Sequence, residues 1–171
     1  PNDVPKFDKL AIFDLDGTLI VKKNGANYIS PETRDDNWIF QGPVVEKFQE
    51  LYRQGIYVVI LTNQSRYNDM IQRKIENIRL TLNFANGWSP LILICTKKDH
   101  WSKPSKDSMS VLVSLTGISM FSSLMIGDAC ASPTESYPPY TWSSDDLNFA
   151  KNCGFTFIRA MDFFGSNRDY I

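Results

Sequence analysis

Short runs of apolar, often β-branched residues alternate along the chain with longer segments whose apolar residues recur at helical spacing. The strand-like runs fall at 10–13, 56–61, 91–95, 123–126 and 155–158. The helical segments fall at about 43–55, 68–84 and 106–116, and in the stretch that ends at Gly154. Because the 56–61 run is apolar at every position, it indicates a strand covered on both faces, as in a parallel sheet.

The alternation of elements predicts the fold class. Repeated strand–helix–strand units with covered strands predict an α/β fold, a Rossmann-like parallel sheet with helices on both faces. Helix boundaries agree with this, since Pro43 suits a first helical position and Gly55 a helix end. The 171 residues fit a single domain over 1–171, with its core at about 9–165.

Composition and charge argue against several classes of function. The 18 basic and 19 acidic residues leave a net charge of −1, which gives no global attraction to nucleic acid or anionic membrane. No apolar run approaches the roughly 20 residues of a membrane span, and the start of the chain has no signal-peptide pattern. Three widely spaced cysteines and one histidine favour reduced thiols over a zinc or disulfide framework. We therefore expect an intracellular protein, nuclear or cytoplasmic, without a membrane partner and monomeric.

Polar side chains follow the predicted strands where each strand ends. In open parallel sheets these carboxyl ends share one edge, and ligands bind there. The residues concerned are Asp14, Asp16, Thr62, Asn63, Lys103 and Asp128. Three carboxylates brought together repel one another unless a cation is present, and carboxylate oxygens suit Mg²⁺. A lysine and a hydroxyl beside them could hold an anion, so the pattern indicates phosphoryl transfer.

Four motifs in order resemble those of the haloacid dehalogenase-like phosphatases. The segment Phe13-Asp14-Leu15-Asp16-Gly17-Thr18-Leu19 is similar to the first motif of that superfamily. Its second, third and fourth motifs have counterparts in Leu61-Thr62-Asn63, Lys103-Pro104 and Gly127-Asp128. A narrower resemblance, from about Leu10 to Phe164, is to the 3′-phosphatase domain of the polynucleotide kinase/3′-phosphatase family. It includes Asp36-Asn37-Trp38, Gln64, Ala129, the stretch 144–150, Gly154-Phe155 and Phe163-Phe164. No GxxxxGK[ST] motif of a kinase half is present.

The resemblance implies a role for each matched residue. Asp14 would attack phosphorus and form a phospho-aspartate, and Asp16 would protonate the leaving oxygen and then activate water. Thr62, Asn63 and Lys103 would bind the phosphoryl oxygens. Mg²⁺ would be held by Asp14, Asp128 and the backbone carbonyl of Asp16.

The lengths between motifs bear on the substrate. Residues 19–42 leave room for a small flap only, and 64–103 are taken up by one helix, one strand and their loops, so no large cap domain is expected. An uncapped site admits a chain end, which favours a macromolecular substrate. Together with this, the resemblance implies DNA 3′-phosphate ends as the substrate and a role in strand-break repair. Arg66, Trp38 and Lys98 are candidate substrate contacts. The window 97–106 carries four lysines, one aspartate and Trp101, which suits a single-stranded nucleic-acid path but also an ordinary solvated loop.

Other interpretations stay open on the sequence alone. Asp146, three residues after Ser143, fits a helix cap, and in the resembled family a carboxylate in this stretch can instead support the metal site. The first rival function is a small-molecule phosphatase acting on histidinol phosphate or a sugar phosphate. The second, from another class, is a non-catalytic nucleic-acid-binding module, although such a module needs no pair of nucleophile and acid.

Overall fold

A five-stranded parallel sheet organises the computed structural model, which describes residues 6–23, 38–118, 122–130 and 143–165. Within these ranges the strands are Lys9–Phe13 (β1), Ile20–Lys22 (β2), Trp38–Phe40 (β3), Ile56–Asn63 (β4), Leu91–Cys95 (β5), Leu124–Gly127 (β6) and Thr156–Arg159 (β7). The helices are Val44–Arg53 (α1), Asp69–Asn86 (α2), Ser108–Thr116 (α3), Asp145–Cys153 (α4) and Ala160–Gly165 (α5).

The order of the sheet is β5-β4-β1-β6-β7, and every neighbouring pair is parallel. β1 is central, with Phe13 paired to Ile60 of β4 on one side and to Ile126 of β6 on the other. The carboxyl ends of these three strands therefore lie side by side. β2 and β3 form a separate antiparallel ribbon.

Two hydrophobic clusters cover the two faces of the sheet. Alternate residues of β1 point to opposite sides: Ala11 and Phe13 join α1, α2 and α5, whereas Leu10 and Ile12 join α3 and α4. The predicted α/β fold, a parallel sheet with helices on both faces, is confirmed.

The observed elements differ from the predicted ones mainly at their ends. β4 runs two residues beyond the predicted end, so that Thr62 and Asn63 belong to the strand itself. In α2, Asn68 caps the first turn by accepting a hydrogen bond from the Ile71 amide, and Gly87 ends the helix in a left-handed conformation. The ribbon and α5 were not predicted, because elements of three or six residues are too short to show a period.

The segments that connect the strands of the sheet contain few further elements. In the described part of the chain, the ribbon is the sole regular structure between β1 and α1, and α2 and β5 are the sole elements between β4 and Lys103. Asp36 and Asn37, part of the narrower resemblance, lie outside the described residues. Trp38 lies in β3, half-buried, with its ring 5.1 Å from that of Phe40 and packed on the cluster that contains α1. No helix in the described ranges has the length and apolarity needed to cross a membrane.

Candidate active site

A tight loop after β1 brings two acidic residues to the carboxyl edge of the sheet. The Asp14 amide donates to the Ile126 carbonyl at 3.0 Å, which continues the pairing of β1 with β6. The chain then turns at Gly17, whose φ of +84° favours glycine, and a Cβ at this position would collide with the Asp128 carboxylate. The glycine therefore permits the close approach of Asp128, whose Oδ1 accepts a hydrogen bond from the Thr18 hydroxyl at 3.3 Å.

Lys103 lies at the centre of the site. Its side chain is 2% exposed, and its Nζ donates to Asp14 Oδ1 and to Asp146 Oδ1, at 2.6 Å in each case. A buried ammonium between two carboxylates is held in one place by charge-assisted hydrogen bonds. Lys103, one of the four lysines in the window 97–106, is thus buried in the site and does not form part of an exposed basic face.

Asn63 fixes the backbone of Lys103. Its Nδ2 donates to the Lys103 carbonyl at 2.9 Å, and its Oδ1 accepts from the Lys103 amide at 3.1 Å. The sequence predicts a phosphate ligand at Asn63, whereas the structure occupies both ends of its amide with the backbone of Lys103. Asn63 therefore positions the lysine from the neighbouring strand end.

Asp146 enters the site from the first turn of α4. Its Oδ2 accepts from the Ala129 amide at 3.1 Å, and its Oδ1 binds Lys103. Gly127 makes this approach possible, because a Cβ there would collide with the Asp146 side chain. The helix-cap interpretation of Asp146 is wrong: Ser143 Oγ accepts from the Asp145 amide, and the Asp146 carboxylate, 2% exposed, faces the site.

Three carboxylates therefore meet around one lysine. Asp14, Asp128 and Asp146 each offer an oxygen, and these oxygens lie within 4.8 Å of one another. Hard oxygen donors in this number fit Mg²⁺. These carboxylate oxygens suit Mg²⁺ better than they suit softer metals, which favour thiolate or imidazole ligands.

The site's electrostatics show how closely these acids are crowded. Burial raises the pKa of Asp14 well above its usual range, and the nearby Asp146 and Asp128 add to the rise against the opposing effect of Lys103. Burial, with Asp146 next, raises the pKa of Asp128 to about 6. Burial lowers the pKa of Lys103, but the two carboxylates that it binds outweigh this and leave its pKa raised. The arrangement would be stabilised by a further cation.

Asp16 lies outside this group of carboxylates. Its Oδ1 accepts from Lys74 Nζ at 2.9 Å, and its Oδ2 accepts from Gln64 Nε2 at 2.6 Å. Gln64 Nε2 also lies 2.8 Å from Thr62 Oγ1, which accepts a hydrogen bond from it. The Thr62 hydroxyl proton is consequently left to donate elsewhere, as a phosphate ligand must.

Two of the three predicted substrate contacts, Arg66 and Lys98, lie on the exposed rim of the site, whereas Trp38 is half-buried in β3. Arg66 follows β4 and Lys98 follows β5, and both are exposed. These two strands are neighbours in the sheet, so their loops share the same edge as the site. Trp101, in the second of these loops, is 40% exposed and packs beside His100, with ring centroids 4.6 Å apart.

Sequence reasoning missed Lys74 altogether and left Asp146 undecided. A signal for Lys74 exists, because it falls on the same helical stripe as Ile71, Ile75 and Ile78, where a charged residue needs a partner. The pattern cannot say which partner that is. Asp146 has no comparable signal, since its position 18 residues after Asp128 acquires meaning only when α4 packs beside β6.

Comparisons with known proteins place the chain in a sequence family. The family model described as polynucleotide kinase 3 phosphatase matches residues 9–164. The chain is 30% identical over 168 residues to the bifunctional polynucleotide phosphatase/kinase of Schizosaccharomyces pombe, covering 93% of this chain and 38% of that protein. It is also 29% identical over 170 residues to an uncharacterised 20.8 kDa protein of Autographa californica nuclear polyhedrosis virus, covering 95% and 88% of the two chains.

Solved structures share the fold at lower identity. A D,D-heptose 1,7-bisphosphate phosphatase from B. bronchiseptica, complexed with magnesium and phosphate, aligns with a TM-score of 0.64 and 19% identity, covering 87% of this chain and 78% of that one. An uncharacterised protein from Listeria monocytogenes serotype 4b aligns with a TM-score of 0.58 and 15% identity, covering 88% and 77%. These likenesses concern the fold alone.

Proposed function

We propose a function from one premise: this chain belongs to the polynucleotide kinase 3 phosphatase family, a family of haloacid dehalogenase-like phosphatases. On that premise the chain is a Mg²⁺-dependent phosphatase that removes the 3′-phosphate from DNA ends, as strand-break repair requires. The observation that carries the proposal is the buried Lys103 between Asp14 and Asp146, with Asp128 beside them, at the carboxyl edge of the sheet. This edge is where ligands bind in open parallel sheets.

Asp14 is the proposed nucleophile. One of its oxygens forms a bond to phosphorus while the bond to the leaving oxygen breaks, and Asp16 gives its proton to that oxygen. In the second half, Asp16 takes a proton from water, the water oxygen attacks phosphorus, and the bond to Asp14 breaks to release phosphate. A pair of acids with separate surroundings suits this division of work, since Asp14 lies beside a lysine and two acids and Asp16 lies apart from them.

Lys103 and Thr62 are the proposed ligands of the transferred phosphoryl group. Lys103 Nζ bonds directly to Asp14, so a phosphate under attack by Asp14 lies within its reach. Thr62 is buried and retains a hydroxyl proton to donate. Fixed donors of this kind stabilise the charge that develops on phosphoryl oxygens without reorganisation during the reaction.

Asp14, Asp128 and the backbone carbonyl of Asp16 are the proposed Mg²⁺ ligands. The test of fit is the donor set. The carboxylate oxygens lie within 4.8 Å of one another, and burial, together with the neighbouring acids, raises the pKa of Asp14 and Asp128. Other described residues donate hydrogen bonds to both oxygens of Asp146, but to only one oxygen each of Asp14 and Asp128. We therefore assign Asp146 to holding Lys103 beside the metal. A bound Mg²⁺ would supply positive charge to the carboxylates and to the phosphoryl oxygens.

The nucleic-acid substrate rests on the family and on the relative of known activity. The chain spans 38% of the Schizosaccharomyces pombe protein, whose name includes a polynucleotide phosphatase activity. The exposed Arg66 and Lys98 at the rim could attract a phosphate backbone, and Trp101 could stack on a base. An intracellular role in repair would follow from that substrate.

Phosphate release from defined substrates tests the proposal. A short DNA oligonucleotide with a 3′-phosphate is compared with its 5′-phosphate isomer and with a sugar phosphate, each in Mg²⁺ and in EDTA. We expect Mg²⁺-dependent release from the 3′ end, abolished by Asp14→Asn and retained by Asp107→Asn, a matched change at an exposed acid. Turnover of the sugar phosphate alone would favour the small-molecule rival, and turnover of no substrate would favour a binding module.

A further inference from the structure

Lys74 is a buried lysine on the apolar face of α2 with no role in the steps above. Its side chain is 7% exposed, and its Nζ lies 2.9 Å from Asp16 Oδ1. Among the residues that the structure describes, Asp16 is the one acid within ion-pair distance of it. Burying an ammonium group costs free energy, and a leucine or methionine of similar volume often serves stability as well or better. A role beyond packing would account for a lysine here.

Lys74 and Gln64 hold Asp16 from two sides. The lysine binds Oδ1 and the amide of Gln64 binds Oδ2, so each carboxylate oxygen has one fixed partner and keeps further acceptor capacity. The Asp16 side chain is still 30% exposed. Its carboxyl group is therefore fixed in direction while remaining open to a reactant.

We infer that Lys74 is a positioning residue for proton transfer by Asp16, an inference that rests on the proposed function. In the first step the proton leaves Asp16 for the leaving oxygen, and in the second a water proton returns to Asp16. Lys74 keeps its own proton throughout and changes no bond. It holds the carboxyl group in the orientation from which both transfers occur, because a misplacement of about 1 Å can cost on the order of 10²-fold in rate.

The two buried lysines thereby have separate roles. Lys103 binds Asp14 and Asp146 and lies where the phosphoryl group would be, whereas Lys74 reaches only Asp16 among the described acids. Replacing Lys103 should slow the reaction of every substrate. In the first step, replacing Lys74 should slow only those substrates whose leaving group needs a proton.

The test compares two leaving groups in single turnovers with enzyme in excess, which isolates the first step. An oligonucleotide 3′-hydroxyl needs a proton as it leaves, and the nitrophenolate of p-nitrophenyl phosphate does not. Lys74→Met should slow release of the oligonucleotide by about 10- to 100-fold, part of the roughly 10²–10⁴-fold that a positioned acid contributes, and release of nitrophenolate by less than about threefold. Gln72→Met, on the exposed side of the same helix, should change neither rate.

A double-mutant cycle with the oligonucleotide alone gives a second reading. In an Asp16→Asn chain, Lys74→Met should cause no further slowing, because a residue that acts through Asp16 has nothing left to position. Equal slowing with both substrates, or full slowing in the Asp16→Asn background, would overturn the inference and leave the phosphatase proposal standing. Inactivity of the unaltered chain would instead overturn the proposed function. Lys74→Gln replaces Lys74→Met if the latter does not fold, with the same expectations.

Discussion

Asp14 and Asp16 are two residues apart, yet their carboxyl groups lie in opposite surroundings. Asp14 is crowded by Asp128 and Asp146 around a single lysine, and its pKa is raised chiefly by burial. Asp16 shares its site with a lysine and an amide and has no acidic partner among the described residues. The difference arises because the chain turns sharply between β1 and Gly17, which sends the two side chains to different neighbours. One motif thus places its two carboxylates in two separate regions, to which we assign the proposed roles of metal binding and proton transfer.

Lys103→Met removes the cation beside Asp14 and has the largest expected effect on stability and activity. It leaves two buried carboxylates without their cation, which should lower the free energy of unfolding at pH 7 by about 3–5 kcal/mol. It should also lower kcat with every substrate by about 10²–10³-fold, because a fixed donor to the phosphoryl group is lost. Denaturant unfolding and phosphate release measure the two effects. The control is the exposed Lys98→Met, and equal stability of the two variants would show that Lys103 does not lie between the acids.

Asp146→Asn also tests the surroundings of Asp14, by changing the acid that holds Lys103. Removing the charge that holds Lys103 should raise the Mg²⁺ concentration for half-maximal activity by about 10- to 100-fold, the range for residues that orient metal ligands. The adjacent Asp145→Asn is the matched control, since the Asp145 side chain has no hydrogen-bond partner among the described residues. A Mg²⁺ titration of phosphate release distinguishes them. Equal titrations would contradict the assignment of Asp146.

The pH dependence of stability should differ with and without metal. A carboxyl group whose folded pKa is raised binds more protons in the folded state, so stability falls as pH rises through the interval between its ordinary and folded pKa. For Asp128 that interval runs from 3.8 to about 6. In EDTA, we expect stability to fall by about 2 kcal/mol across this interval. Urea unfolding at several pH values tests this, and Mg²⁺ should abolish the fall. An increase in stability over the same pH interval in EDTA would contradict the raised pKa of Asp128.

The rim should contribute least. Arg66→Gln and Lys98→Gln should each raise KM for an oligonucleotide about two- to fivefold and reduce the salt dependence of binding by about one charge, with kcat unchanged. A small aryl phosphate should show no change with either variant. Steady-state kinetics at two salt concentrations measure this. A fall in kcat would instead assign these residues to the chemical step, together with Asp14 and Asp16.

Much of the site could be predicted because it lies at strand ends. Asp14 and Asp128 directly follow buried parallel strands, and Thr62 is the last residue but one of another. Parallel strands in neighbouring positions bring their carboxyl ends together. Lys103 was predicted from a motif in a loop, and its burial was not, because four lysines in ten residues gave no sign of which one turns inward.

The sequence by itself determined the class of fold, the order of the motifs along the chain and the family, because hydrophobic period and short motifs are local properties of the chain. Only the tertiary structure decided that Asp146 holds Lys103, that Asn63 fixes its backbone and that Lys74 pairs with Asp16. These pairs join residues 40 to 58 positions apart in the chain. Their partners are chosen by how α2, α4 and the loops pack on the sheet, since a buried charge must find its counterpart in space and the chain order does not specify it.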